Sequence, residues 1–195
     1  MTRVQRKYGT WDKFAGSDEH KQLGTALYER QSNYCAYCTR YLKEKRDGHI
    51  EHLERRSDNS KRTFDWTNMF FSCNDPGSCG KYKDTKKVRF DPKDIVDPSV
   101  EDPSDFFCFD AVGLIRARKG TGQLRAEETI RVFNLNAPKL VGARAAIVCA
   151  IEDLRYCSDE ELDKCIAGMH GQSYLAVWCI LLGRKIPQKS EAAGS

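Results

Sequence analysis

The sequence predicts an α+β fold: a small cysteine-clamped core with an N-terminal helix before it and a mainly helical region after it. Three observations predict it. Cys35-x2-Cys38 and Cys73-x5-Cys79 bracket a compact stretch with two thiol pairs. Short apolar runs adjoin turn signals at Asp47-Gly48 and Gly113, as hairpins require. Beyond about residue 120 the apolar residues recur at helical spacing. With 195 residues, 40% of them apolar and 31% charged, the chain is long enough to bury a sizeable core and is not of disordered composition.

Residues 1–16 are polar and basic without a clear period. From Ser17 a helix is expected, with Ser17 as cap, Asp18 and Glu19 at its positive end, and Leu23, Ala26, Leu27 and Arg30 at helical spacing. This N-terminal helical segment, 1–34, delivers the chain to Cys35. A turn at Asp47-Gly48 leads into His49–Leu53, a hairpin arm that ends in Glu51-His52. After a polar loop over 57–61, Asp65 is expected to start a short helix burying Trp66, Met69 and Phe70. Residues 74–78 form a turn by composition, and 81–88 can be helical.

The core unit therefore runs over 35–90. The Pro- and Asp-rich stretch 91–103 reads as the linker out of it, and Phe106–Phe109 with Leu114–Arg118 fits a second hairpin. Helices follow at 127–134, at 138–157 with Leu140, Ile147, Val148, Ile151 and Leu154 toward a core, at 159–169 and at 173–182. The region 91–182 is thus a hairpin plus helices, a candidate surface for docking a partner, and 183–195 is a polar, flexible tail. No apolar run is long enough to span a bilayer and Met1–Lys7 lacks a signal-peptide core, so a cytoplasmic protein with no membrane partner is expected.

Nine cysteines without a secretory signal favour metal binding over disulfides. A tetrahedral zinc needs four soft ligands converging from short loops, with Zn–S of about 2.3 Å, and Cys35, Cys38, Cys73 and Cys79 can supply them. Four thiolates leave no open position for water, so this zinc is structural. Cys108, Cys149, Cys157, Cys165 and Cys179 lie in apolar stretches and read as core.

Within the clamp lie groups suited to metal-assisted hydrolysis. Phosphodiester cleavage needs a base for water and a divalent cation for the developing charge; His52 can be the base and Glu51 a ligand of Mg²⁺ or Mn²⁺. Neighbours on a regular strand point to opposite faces, so the two share a site only if the strand ends or twists there. Residues 81–93 carry six basic groups against two acids, and Lys81, Lys83 and Lys87 are candidates for nucleic-acid contact, although such a run taken alone is more often a solvated face. His49 is as readily structural as functional. Asn68 beside Trp66 could simply brace a helix.

The order Cys-x-x-Cys, acid-His, Asn and a second cysteine pair resembles the zinc-containing HNH endonuclease motif, which folds as a ββα-metal unit. More narrowly, Gln31–Cys38, His49–His52, Phe64–Asn68, Cys79–Lys83 and Thr129–Asn136 resemble the PtuB family, the HNH nucleases of Septu anti-phage systems, also found as retron effectors. The resemblance covers about residues 20–156. It implies His52 as general base, Glu51 as metal ligand, and Asn68 as a group that touches the metal or orients the loop carrying the base. The helix after the last cysteine should offer ligands at positions held here by Gly80 and Asp84, which leaves Asp84 to join Glu51 around the catalytic cation. Leu53-Glu54-Arg55-Arg56 departs from the aromatic and proline usual after the histidine.

The resemblance further implies a PtuA-type ATPase as partner, and in retrons a reverse transcriptase with its RNA–DNA product; no Gly-x4-Gly-Lys-Ser/Thr loop occurs in this chain. The expected function is a metal-dependent nuclease of prokaryotic anti-phage defence, with DNA the favoured substrate and RNA, including tRNA, the alternative. The rival from another class is a catalytically silent zinc module that binds nucleic acid or bridges partners. A zinc-dependent redox role is weak, because clamped thiolates are poor nucleophiles.

Overall fold

A computed structural model describes residues 3–154 and 156–185. It is a mixed helix-and-strand protein with two small antiparallel sheets. Two short helices open the chain, α1 (Arg3–Tyr8) and α2 (Trp11–Phe14), followed by α3 (Asp18–Arg30). Ser17 caps α3 as its sequence requires, its Oγ accepting the His20 amide at 3.1 Å. The residues before Ser17 show no helical period because their order comes from one cluster: Phe14 is buried among Tyr8, Trp11, His20 and Phe64.

Strand β1 (Gly48–His52) follows Asp47-Gly48 as expected, but its partner lies further along. It pairs antiparallel with β2 (Met69–Cys73), Glu51 opposite Phe70 and His52 opposite Met69. Asp65 does start a helical turn, its carboxylate accepting the Thr67 amide, yet the turn ends at Asn68 and the expected short helix gives way to β2. All five residues of β2 are buried, and a short run apolar on both sides carries no period that separates strand from helix. Trp66, expected in the core, is 42% exposed with Arg30 lying over its ring at 4.6 Å.

Helix α4 (Cys79–Thr85) crosses one face of the hairpin and α3 the other. Stretch 91–103 is tied down: Ile95 and Val96 are buried, Val96 N donates to Thr129 Oγ1 at 2.8 Å, and Arg125 binds Glu101. Helix α5 (Pro103–Phe106) leads into the second hairpin, β3 (Phe107–Phe109) with β4 (Ile115–Ala117). Then come α6 (Gln123–Val132), α7 (Pro138–Ile151), α8 (Asp159–Gly168) and α9 (Leu175–Leu181).

One hydrophobic cluster joins both halves, with Leu27, Phe70 and Phe71 packed in the same body as Val132, Phe133, Leu140 and Val177. Burying each such side chain contributes about 1.5–3 kcal/mol, so the C-terminal helices stabilise the clamp region directly. Of the five cysteines expected in the core, only Cys179 is buried; Cys149 is exposed and Cys108, Cys157 and Cys165 are partly so. Cys149 and Cys165 lie on helices, which carry small residues on both faces, whereas Cys108 lies on β3 and Cys157 between α7 and α8. The tail expectation for 183–195 lies outside the described residues from 186 onward. Among the described residues no helix is long and apolar enough to cross a membrane.

Candidate functional site

Cys35 and Cys38 sit on a tight turn after α3, Cys73 ends β2 and Cys79 opens α4. Two left-handed residues shape these turns, Thr39 (φ 57°) and Cys79 (φ 58°). Gln31 docks the first turn on β2, its side chain donating to Phe71 O and accepting from Phe71 N, each at 2.8 Å. All four cysteines are buried, and their sulfurs lie within 4.8 Å of one another. Cys38 and Cys73 Sγ are 3.9 Å apart, close to the edge of a tetrahedron with metal–sulfur bonds of about 2.3 Å.

The donor set fits zinc. Crowding by the Cys35 sulfur drives the Cys38 and Cys79 thiols well above their ordinary pKa, so four thiolates coexist here only around a cation. Arg144 of α7, a residue the sequence did not single out, supplies compensating charge. Its guanidinium is buried, donates to Leu140 O and Leu135 O, and feels the charge of Cys38 and Cys79. Burial lowers it only to about 10, so it stays protonated at neutral pH.

The second group of interest flanks β1. His52 Nε2 is 2.9 Å from Thr63 O, and a carbonyl can only accept, so Nε2 carries the proton and Nδ1 keeps its lone pair. Among the described residues Nδ1 has no hydrogen-bond partner, and His52 as a whole is 7% exposed. Trp11 stands edge-on over the imidazole at 4.5 Å between ring centres, and Arg56 lies over Trp11 at 5.2 Å. Thr63, Trp11 and Arg56 all escaped the sequence reading. Nothing local to them signals that they meet His52.

Burial lowers the His52 pKa to about 4, leaving a neutral imidazole at pH 7. The unfolded chain takes up this proton near 6.5 and the folded chain near 4, so stability should fall as pH drops through that window, by about 3 kcal/mol in total. Urea unfolding at pH 7 and pH 4.5 checks this: the acid loss should shrink in His52→Gln, and an equal loss in both proteins would contradict it.

Glu51 and His52 point to opposite faces, as a regular strand demands. His52 faces Trp11 and Thr63, whereas Glu51 faces α4 and is sealed there: Lys83 Nζ lies 2.7 Å from Glu51 Oε1, and both side chains are 0% exposed. Tyr37 OH donates to Glu51 Oε2. Burial raises the Glu51 pKa, and the Lys83 ammonium opposes that rise. The same ammonium reaches Asp84 Oδ1 at 2.8 Å, and Arg55 Nε binds that oxygen at 3.1 Å. Glu51 and Asp84 do converge as expected, but on an ammonium. As arranged, they do not fit a divalent cation.

The nucleic-acid contact expected of Lys83 falls with this arrangement. Lys83 is no phosphate contact, because the helical period that turns Cys79 inward also turns in the residue four positions on. Lys81 and Lys87 are exposed. Asn68 braces the loop after His52, the second of its two expected roles: its side chain accepts Glu54 N at 2.8 Å and donates to Glu54 O and Arg62 O. Arg55, in the atypical stretch after the histidine, donates to Lys83 O and Val88 O and so caps the end of α4.

Gly80 also finds its reason. A Cβ there would overlap Glu51 Cγ and stand 3.1 Å from Glu51 Cδ and 3.2 Å from Ser72 Oγ. Alanine gains at most about 1 kcal/mol of helix propensity, less than the cost of displacing a buried carboxylate from its cation. Gly80→Ala should therefore lose about 2 kcal/mol or more in urea unfolding; an unchanged midpoint would contradict this packing.

The chain matches no protein-family model and no curated protein.

Proposed function

We propose that this chain is a nuclease whose general base is His52, carried on a hairpin-and-helix unit of the HNH type held together by one zinc at Cys35, Cys38, Cys73 and Cys79. The observation that carries the reading is the His52 tautomer. A neutral imidazole anchored through Nε2 to the Thr63 carbonyl presents Nδ1 as a proton acceptor, the arrangement a water-activating base needs. His52 Nδ1 takes a proton from water as the water oxygen bonds to phosphorus. The bond from phosphorus to the leaving oxygen breaks, that oxygen takes a proton from solvent, and His52 returns its own to solvent.

Arg56, lying over the Trp11 ring that packs on the imidazole, holds the phosphate, and exposed Lys81 and Lys87 extend the basic surface for the strand. DNA is the favoured substrate and RNA, including tRNA, the alternative. The proposed setting is anti-phage defence of the Septu or retron kind, with a PtuA-type ATPase docked on the helices beyond residue 120.

His52→Ala tests the base. Cleavage of plasmid DNA or total RNA should fall by about 10²–10⁴-fold while zinc content and circular dichroism stay unchanged. Full activity in that variant would sink the assignment. One observation favours the silent zinc module instead: Lys83 neutralises both acids expected to serve a catalytic cation. Nucleic-acid binding equal in wild type and His52→Ala, with no cleavage under any condition, would decide for that reading.

A further inference from the structure

Two carboxylates and two backbone carbonyls converge between β1 and α4, a hard-oxygen donor set of the kind that suits Mg²⁺ or Mn²⁺. At their centre stands Lys83 Nζ, 2.7 Å from Glu51 Oε1, 2.8 Å from Asp84 Oδ1, 2.8 Å from His52 O and 3.3 Å from Leu53 O. An ammonium has three protons to donate, and the bonds to Asp84 Oδ1, His52 O and Leu53 O use them all, so Glu51 Oε1 is held as an ion pair without a hydrogen bond of its own. A metal at the same oxygens would need bonds of about 2.0–2.2 Å and would meet the ammonium head-on. Both positive charges cannot occupy the space.

Lys83 is not placed to swing aside. Its side chain is 0% exposed and its ammonium lies 5.9 Å from the Phe90 ring centre. Its departure would strand Glu51, whose remaining partner is the Tyr37 hydroxyl. The bare α-carbon of Gly80 gives the Glu51 carboxylate the room to reach it, and Arg55 sets a second fixed positive charge against Asp84.

We propose that Lys83 is the resident cation of the Glu51–Asp84 pair: it takes the place of a divalent metal, so the wild-type chain binds none there and the His52 centre works without one. Lys83 is a positioning residue. By gripping the carbonyls of His52 and Leu53 it fixes the end of β1, and with it the imidazole. Its part in cleavage rests on the nuclease reading above; its occupation of the site does not.

Manganese titration of the zinc-loaded protein, followed by electron paramagnetic resonance, tests the occupation. Mn²⁺ prefers oxygen and stands low in the affinity order, so it leaves the thiolate cluster to zinc. Wild type should show no stoichiometric Mn²⁺ site. Lys83→Ala should gain one, and Lys83→Ala combined with Glu51→Gln should lose it again. A wild-type site abolished by Glu51→Gln would overturn the proposal, as would a folded Lys83→Ala that binds no manganese. Should Lys83→Ala fail to fold, wild type against Glu51→Gln still decides.

The activity arm uses magnesium-free buffer with a chelator too weak to take the zinc. Cleavage that persists there supports the proposal, and cleavage that requires added Mg²⁺ or Mn²⁺ overturns it. Absence of cleavage in every condition, together with the expected manganese result, counts against the nuclease reading and leaves the Lys83 assignment standing.

Discussion

Metal-free protein should lose its cooperative unfolding transition, and Cys73→Ser should do the same. The four cysteines come from three places in the chain, the turn after α3, the end of β2 and the start of α4, which otherwise meet through a few hydrogen bonds such as Gln31 to Phe71 and Gly80 N to Ser72 Oγ. Without a cation the buried cluster is crowded, with the Cys38 and Cys79 thiols pushed up by the neighbouring Cys35 sulfur. Structural zinc contributes an apparent 10–16 kcal/mol or so in zinc-finger peptides, about as much as or more than the roughly 5–15 kcal/mol net stability of a whole domain. Because Phe70, Phe71 and Leu140 share one hydrophobic body, opening the clamp should loosen the C-terminal helices too. Elemental analysis should find one zinc per chain, with thermal circular dichroism run before and after chelation. Metal-free protein that melts as sharply and as high as the zinc form would refute the structural role.

Lys83→Met should be the most destabilising single change outside the cluster. It removes the one cation that, among the described residues, pairs with a fully buried carboxylate, and breaking a buried pair in this way costs about 3–5 kcal/mol. Adding Glu51→Gln should recover most of the loss, since a neutral amide can still accept the Tyr37 hydroxyl and needs no counter-ion. The double-mutant cycle, read by urea unfolding, should therefore show strong coupling between the two sites. Lys83→Met within about 0.5 kcal/mol of wild type, the scale of an ordinary surface change, would mean that the pair is not buried as described.

Several features were legible in the sequence because their causes are local. Ser17 with Asp18 and Glu19 announces α3, Asp47-Gly48 announces β1, and Pro138 opens α7 where a missing N–H does no harm. The two cysteine pairs announce the cluster, since thiols crowded on short turns have few other uses. His52 was singled out on motif order as the proposed base, and its tautomer became visible only with the Thr63 carbonyl in place.

Lys83 could have been placed from sequence. Cys79 must face the cluster, and a helix returns to the same face four residues later. Composition argued otherwise, because a lysine within a basic run reads as solvated until something shows its acid partner. Strand β2 was hidden for another reason: burial on both faces erases the alternation that marks a strand.

What the sequence determined by itself, then, was the set of local signals: caps, turns and the thiol pairs. What only the tertiary structure decided was which distant residues meet. Trp11 comes onto His52, Arg144 comes beside the thiols, and Lys83 comes between Glu51 and Asp84. Those meetings depend on how helices pack over the hairpin, and packing is fixed by the summed burial of many side chains, which no single stretch of sequence carries.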